Sequence, residues 1–172
     1  VHGNILFSMH DASGGNIYRI SVSTNTGKGI YYHSNSNESI TSHSSTNYAN
    51  GTKQLFQINS NNGTSQIRMN NVVIGEVSSN PGFSDATQVS LGQEYDNSAT
   101  GDFFKGDIHE IIMIKKSLSR TEQTQLNRYI AKKWGLESTV DSDGDGVMDS
   151  KDIDAIDATK TVNLDTEVGN HY

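Results

Sequence analysis

The sequence predicts an all-β, antiparallel sandwich with one C-terminal helix and an acidic loop extension. Three observations support this. Only 33 % of the 172 residues are hydrophobic, while Ser, Thr, Asn and Gly are abundant, which suits short strands with one solvated face. Short alternating apolar segments, separated by turn residues, recur from residue 5 onwards. A capped amphipathic pattern and a regularly spaced aspartate cluster follow.

Roughly eight strands are predicted, at spacings typical of a sandwich. They are Ile5–Met9, Ile17–Val22, Gly29–His33, Lys53–Ile58, Ser65–Met69, Val72–Val77, Thr87–Leu91 and, as the longest, Phe104–Ile114, with a further short strand around Ile40. Asn62-Gly63 and Asn70-Asn71 indicate tight hairpin turns, because a two-residue type I′ turn needs positive φ at both centres. The polar segments 34–52 and 94–102 are predicted to be loops.

A single helix is predicted after the last strand. Ser119, with Glu122 three residues later, makes a capping box. Gly135 is placed to end the helix. The apolar stripe at i, i+3, i+4 and i+8 is expected to face the core, and it consists of Leu126, Tyr129, Ile130 and Trp134. Trp134 is interpreted as a packing residue rather than a sugar-stacking one.

The acidic segment begins with twelve residues whose spacing matches a cation-binding loop. Carboxylates occupy positions 1, 3, 5, 9 and 12, which are Asp141, Asp143, Asp145, Asp149 and Asp152. Gly146 stands at position 6, where a tight loop needs positive φ, and Val147 offers its backbone carbonyl from position 7. Carboxylates this close repel one another unless a cation lies among them. The predicted cofactor is therefore Ca²⁺. A solvated acidic linker is the alternative, although a linker requires neither that glycine nor strict spacing.

The loop is not a standard EF-hand, because Asp152 replaces the long glutamate at position 12. The pattern D-x-D-x-D-G-x-x-D-x-x-D, followed by an apolar spacer, Asp157 and Thr159, resembles the thrombospondin type 3 calcium repeat. This resemblance adds Asp157 to the metal ligands. It also implies a stiff connector between domains of a bacterial surface protein.

The charge distribution excludes several classes of partner. Residues 1–136 carry a net charge of +1 and residues 137–172 a net charge of −8, so the acidity is local to the calcium segment. No basic stripe is present to neutralise phosphates, so nucleic acid is not an expected partner. No apolar run of about 18 residues exists for membrane insertion. The absence of cysteine excludes a disulfide scaffold.

A second resemblance covers roughly residues 4 to 136. Four segments are together similar to parts of laminin-G-like domains: Ser65–Gly75, Val89–Gly92, the strand F-K-G-D-I-H-E-I and the helix from Leu118 to Leu136. The resemblance implies a jelly-roll sandwich of the concanavalin A-like lectin type over 1–136, followed by an acidic calcium-binding linker over 137–172. The family has further strands before the segment that matches Ile5, so the domain is expected to be permuted, split or shortened here.

The sandwich segment followed by the calcium-repeat segment is similar to modules of large bacterial RTX-type adhesins. The functional hypothesis is an extracellular, cell-surface adhesin module, rigidified by calcium, whose partners are glycans or a neighbouring domain of the same parent protein. The alternative is a carbohydrate-binding module of a secreted polysaccharide-degrading enzyme. In either case the residues expected to contact a glycan lie on polar loops and are Asp11, Asn47, Tyr95, Asp96 and Asn97.

Catalysis is not expected, and no catalytic residue is assigned. Laminarinase-type glycoside hydrolases share the implied fold and carry E-x-D-x-x-E on one strand. Here the corresponding segment lacks the first glutamate, and alternation puts Asp107 and Glu110 on opposite faces. A glycoside hydrolase is therefore only a remote alternative.

Overall fold

The computed structural model describes residues 4–10, 16–22, 29–34, 38–43, 51–61, 63–78, 87–96 and 99–161. These residues form a mostly β structure with antiparallel sheets and one helix, which confirms the coarse fold prediction. The elements in chain order are β1 (Ile5–His10), β2 (Asn16–Val22), β3 (Gly29–Ser34), β4 (Glu38–His43), β5 (Phe56–Asn61), β6 (Thr64–Met69), β7 (Val72–Val77), β8 (Gln88–Leu91), β9 (Glu94–Asp96), β10 (Ala99–Gly101) and α1 (Arg120–Trp134).

The chain divides into two compact units. Unit 1 takes in Val1–Thr52, Ile58–Ile67 and Ile74–Lys115, and unit 2 takes in Lys53–Gln57, Arg68–Val73 and Lys116–Tyr172. The predicted domain boundary after residue 136 falls inside unit 2. No helix in the described part of the chain is both long and apolar enough to cross a membrane.

Unit 1 contains a five-stranded antiparallel sheet with the order β4-β3-β2-β1-β8. Strand β1 has neighbours on both sides and is buried on both of its faces. Phe7 packs edge-on against Tyr18 of β2, with ring centroids 5.8 Å apart. On the alternate positions, the buried Ser8 hydroxyl donates to the Gln93 carbonyl and hydrogen-bonds the His10 ring.

Strands β5, β6 and β7 form a separate three-stranded sheet in that order. Residues 65, 67 and 69 of β6 are buried and alternate with half-buried neighbours, as the period of two requires. Asn70 and Asn71 join β6 to β7 with φ of 49° and 69°. Positive φ at both positions confirms the predicted hairpin turn.

The polar segment 94–102 was predicted to be a loop, and that prediction is wrong. β9 and β10 form a short antiparallel hairpin with Tyr95 opposite Thr100 and Asp96 opposite Ala99. Each strand has only three residues, too few for alternation to be read from the sequence.

The prediction of a strand over Phe104–Ile114 is also wrong. Within the described residues this segment joins no strand ladder, although the adjacent Phe103 makes one isolated bridge to Ile5. Alternating apolar residues identify a chain that is able to form a strand. A strand, however, exists only when a neighbour supplies the hydrogen-bonding edge.

Helix α1 begins and ends where the sequence predicts. The Ser119 hydroxyl accepts a hydrogen bond from the Glu122 N–H, and the Glu122 carboxylate accepts one from the Ser119 N–H. Gly135 terminates the helix with φ of 68°. The predicted capping box and C-terminal glycine are therefore both confirmed.

The buried face of α1 matches the predicted apolar stripe only in part: Ile130 and Trp134 pack against the core of unit 2, but the fully buried positions are others. Tyr129 is 51 % exposed, whereas Thr124, Asn127 and Ala131 are buried. Polar residues occupy this face because it meets polar groups: the Asn127 amide oxygen accepts a 2.6 Å hydrogen bond from the Gln57 side chain. Burial of a polar side chain costs little when it is hydrogen-bonded.

The apolar core of unit 2 joins three parts of the chain. Leu55, Ala131, Leu136 and Val140 form one buried cluster, and the half-buried Trp134 and Ile130 pack against it. The position of Trp134 supports its interpretation as a packing residue. The core includes residues from both sides of position 136, so the acidic segment begins inside a folded unit.

Candidate metal centre

The acidic loop is held in shape by its own backbone. The N–H of Asp149 donates to the carbonyl of the fully buried Val140, and the N–H of Ser150 donates to Glu137. Gly144 and Gly146 have φ of 79° and 98°, a region that residues with a side chain rarely adopt. The chain therefore turns tightly at the glycine that the sequence placed at position 6.

Three of the predicted ligands converge in this turn. Asp141, Asp143 and Asp145 each offer a carboxylate oxygen, and these oxygens lie within 4.8 Å of one another. The two oxygens of Asp141 accept hydrogen bonds from the N–H groups of Gly144 and Gly146, at 2.7 and 2.8 Å. These two bonds orient the first carboxylate of the loop.

Buried carboxylate oxygens without a hydrogen-bond donor mark the same place. In Asp143, Asp145 and Asp152, one oxygen accepts a backbone N–H two residues further on. The other oxygen, Oδ2 in each case, is buried and accepts no hydrogen bond. Asp143 is 5 % exposed and Asp152 is 9 % exposed. A buried carboxylate oxygen without a partner is costly, because it has lost water and gained nothing in return.

The pKa values of two of these aspartates reflect the same cost of burying a negative charge. Burial, followed by repulsion from Asp145, raises the pKa of Asp143 to about 6. Burial is also the main cause that raises the pKa of Asp152. Raised pKa values show that the loop without a cation holds these negative charges poorly.

The donor set fits a hard divalent cation. The converging donors are the carboxylate oxygens of Asp141, Asp143 and Asp145, and among the described residues neither histidine nor cysteine joins them. Such an all-oxygen set suits Ca²⁺ rather than a metal that prefers nitrogen or sulfur. The backbone of Val147 lies in the same turn, where its N–H donates to Asp145. A bound cation would supply the positive charge that these oxygens lack.

The carboxylate of Asp149, the predicted ligand at position 9, accepts hydrogen bonds from other groups of the protein. Its side chain is fully buried. Its Oδ1 accepts the Ser142 N–H, and its Oδ2 accepts the Ser142 hydroxyl, both at 2.7 Å. Arg128 of α1 lies 3.3 Å from Oδ2 and also pairs with Glu137. Asp149 thus ties the start of the loop to its end and to the helix.

Asp157, the last predicted ligand, also has partners within the protein. It accepts hydrogen bonds from the backbone and hydroxyl of Thr159, and Lys160 lies 3.3 Å from its Oδ2. These donors lower the pKa of Asp157, with the Thr159 hydroxyl as the largest cause. Lys160 also pairs with Asp154. The distal carboxylates of the segment are therefore balanced by an ammonium group of the chain itself.

Further residues of unit 2 support the loop backbone, and sequence reasoning did not identify them. The Asn71 amide donates to the carbonyls of Asp141 and Ser142, at 2.8 and 3.3 Å. Arg120 donates to the carbonyl of Asp143. The sequence offered no signal for these contacts, because Asn71 reads as a turn residue and Arg120 as a surface residue of the helix.

Of the predicted glycan-contacting residues, two lie in the described part of the chain. Asp11, Asn47 and Asn97 lie outside the described residues. Tyr95 and Asp96 belong to β9, where their backbones pair with β10.

Comparison with models of known protein families gives no match, and no curated protein sequence matches this chain. One solved structure that aligns with it is an S-layer domain-containing protein from Clostridium thermocellum ATCC 27405 (residues 221–444). That alignment has 17 % identity and a TM-score of 0.40, and it covers 74 % of this chain. The chain spans 64 % of the other structure, less than two thirds of its length.

The raised pKa of Asp143 predicts how stability without a cation depends on pH. The folded loop binds this proton more tightly than the unfolded chain, so the proton's stabilising effect is present below about pH 4 and is lost as the pH rises through about 6. In chelator, the wild type should lose about 1 kcal/mol, or about 3 °C in melting temperature, between pH 5 and pH 7 relative to Asp143→Asn. Identical pH slopes for the two proteins would contradict the assignment.

Removal of the Arg128 guanidinium should destabilise the unit, because it leaves the buried Asp149 carboxylate without its cationic partner. We expect Arg128→Met to lower the free energy of unfolding by about 2 kcal/mol in urea denaturation with chelator present. The control is Lys132→Met, which removes an exposed cation from the same helix and should change stability by less than about 0.5 kcal/mol. Equal effects of the two substitutions would rule out the ion pair as the cause.

Proposed function

We propose that this chain is a calcium-stabilised module of an extracellular bacterial adhesin, and that its role is structural rather than catalytic. The observation that carries the proposal is the set of buried, unpartnered oxygens on Asp143, Asp145 and Asp152. They lie in a loop where Asp141 is already oriented by two backbone N–H groups. A cation bound there replaces mutual repulsion with coordination.

The surroundings of the loop favour a structural role for the cation. The carbonyls of residues 141 to 143 accept hydrogen bonds from Asn71 and Arg120, so the loop is attached to the hairpin turn and to α1 within unit 2. A cation that binds only the folded loop stabilises that whole unit by mass action. Rigidity between domains is the property that such a site confers on an adhesin.

The finer parts of the proposal rest on the sequence resemblances. These parts are a jelly-roll sandwich of the concanavalin A-like type, a place in an RTX-type adhesin, and an extracellular location. Extracellular modules bind calcium with dissociation constants of about 10⁻⁴–10⁻³ M. A site with this affinity is occupied at the calcium concentration outside the cell and empty at the concentration inside it. A neighbouring domain of the same parent protein, or a glycan, is the proposed partner.

A calcium titration by calorimetry, combined with thermal melts, tests the proposal. We expect saturable binding with a dissociation constant of about 10⁻⁴ M. At about one hundred times that concentration, the free energy of unfolding should rise by about 2.7 kcal/mol over its value in chelator. Asp145→Asn should weaken binding at least tenfold, since it neutralises one converging carboxylate.

The matched control is Asp107→Asn, which removes an exposed carboxylate outside the loop and should bind calcium like the wild type. Mg²⁺ at the same concentration should stabilise the protein less, because it requires a smaller, octahedral shell. If the wild type shows neither binding nor a shift in melting temperature, the calcium proposal is wrong and the segment is an acidic linker.

A further inference from the structure

Asn71, the second residue of the turn between β6 and β7, contacts the backbone of the acidic loop within unit 2. Its side-chain amide donates to the carbonyl of Asp141 at 2.8 Å and to the carbonyl of Ser142 at 3.3 Å. These carbonyls belong to the two peptide groups that join Asp141 to Asp143. Asp141 and Asp143 are two of the three aspartates whose carboxylate oxygens converge. The Asn71 amide therefore holds the backbone between two of the candidate ligands.

The orientation of this amide is fixed by Arg68. The Arg68 guanidinium donates to the backbone carbonyl of Asn71 at 3.2 Å and to its side-chain oxygen at 3.1 Å. Because the side-chain oxygen already accepts from a donor, the amide nitrogen faces the loop, where both partners are carbonyls that can only accept. The backbone φ of Asn71 is 69°, a conformation that asparagine tolerates better than most residues with a side chain.

Asn70, the first residue of the turn, makes different contacts. Its amide oxygen accepts the Leu55 N–H and its amide nitrogen donates to Gln54, both at 2.8 Å. Its backbone N–H donates to the Leu55 carbonyl at 2.7 Å. Leu55 belongs to the apolar core of unit 2. The Asn70 side chain therefore attaches the turn to the chain that leads into β5, whereas the Asn71 side chain attaches it to the acidic loop.

We propose that Asn71 is a positioning residue for calcium, an inference that rests on the proposed function. In the loop without a cation, repulsion between the carboxylates opposes the arrangement in which they converge. The two hydrogen bonds from Asn71 hold the backbone in that arrangement before the cation binds. Without them, only a fraction of the folded molecules has a binding-competent loop. The apparent dissociation constant rises in inverse proportion to that fraction.

Asn71→Gly tests the proposal, because it removes the amide and keeps the turn. Glycine adopts positive φ without strain, and Asn-Gly is a favoured type I′ pair. Loss of one net hydrogen bond shifts an equilibrium about fivefold, so the calcium dissociation constant should rise about fivefold. Asn71→Ser is a second variant, since its hydroxyl is too short to bridge the two carbonyls, and it should weaken binding to a similar extent.

Asn70→Gly is the matched control in the same turn. It keeps the backbone hydrogen bond to Leu55 and loses the two side-chain hydrogen bonds to Leu55 and Gln54. It should lower the melting temperature in chelator by about 3 °C and leave the calcium dissociation constant within about twofold of the wild-type value. A residue that only stabilised the turn would not separate calcium affinity from stability in this way.

Calorimetric titration of calcium into the wild type and the three variants distinguishes the outcomes. Equal dissociation constants for the wild type and Asn71→Gly would overturn this inference and leave the proposed function standing. Equal weakening by Asn70→Gly and Asn71→Gly would also overturn it, because the turn as a whole, and not the Asn71 amide, would then control affinity. If the wild type binds no calcium, the proposed function is wrong and this inference is wrong with it.

Discussion

Electrostatic repulsion within the acidic loop is the constraint on which the structure of unit 2 depends. Five aspartates occur within twelve residues, and three of them direct buried oxygens at no donor. Such an arrangement persists only where other contacts hold the backbone against the repulsion. Here they come from the hairpin turn, from α1 and from the tether between Asp149 and Ser142. These contacts order the loop before any ligand binds, which would lower the ordering cost of binding the proposed cation.

The buried face of α1 follows from the same constraint. A helix that packed only on apolar residues would bury its whole predicted stripe, which is Leu126, Tyr129, Ile130 and Trp134. Instead the helix turns Asn127 inward, where its amide contacts both Gln57 and the carbonyl of Ser142. Polar contacts of this kind need specific geometry, so they position the helix more narrowly than apolar packing does.

Local signals predicted most of the elements, and non-local partners account for what they missed. The capping box, Gly135 and the Asn70-Asn71 turn act over a few residues, and each was found from the sequence. The spacing of the acidic loop likewise identified the converging carboxylates. The roles of Asn71, Arg120 and Arg128 depend on residues far away in the chain, and sequence periodicity carries no information about such contacts. For the same reason the alternation in Phe104–Ile114 predicts a strand that the structure lacks, since alternation indicates apolar faces but not the presence of a neighbour.

The Asn70-Asn71 turn connects the β6–β7 hairpin to the candidate metal centre. An Asp-Gly turn would satisfy the backbone conformation equally well. Two asparagines also supply side-chain amides that hydrogen-bond to other parts of unit 2. The Asn70 amide accepts the Leu55 N–H and donates to Gln54, and the Asn71 amide donates to the carbonyl of Asp141. Glycine at position 71 would keep the turn but lose the hydrogen bond to the carbonyl of Asp141, the first aspartate of the loop. The second asparagine therefore stands where unit 2 needs a side chain, and it links the hairpin to the acidic loop.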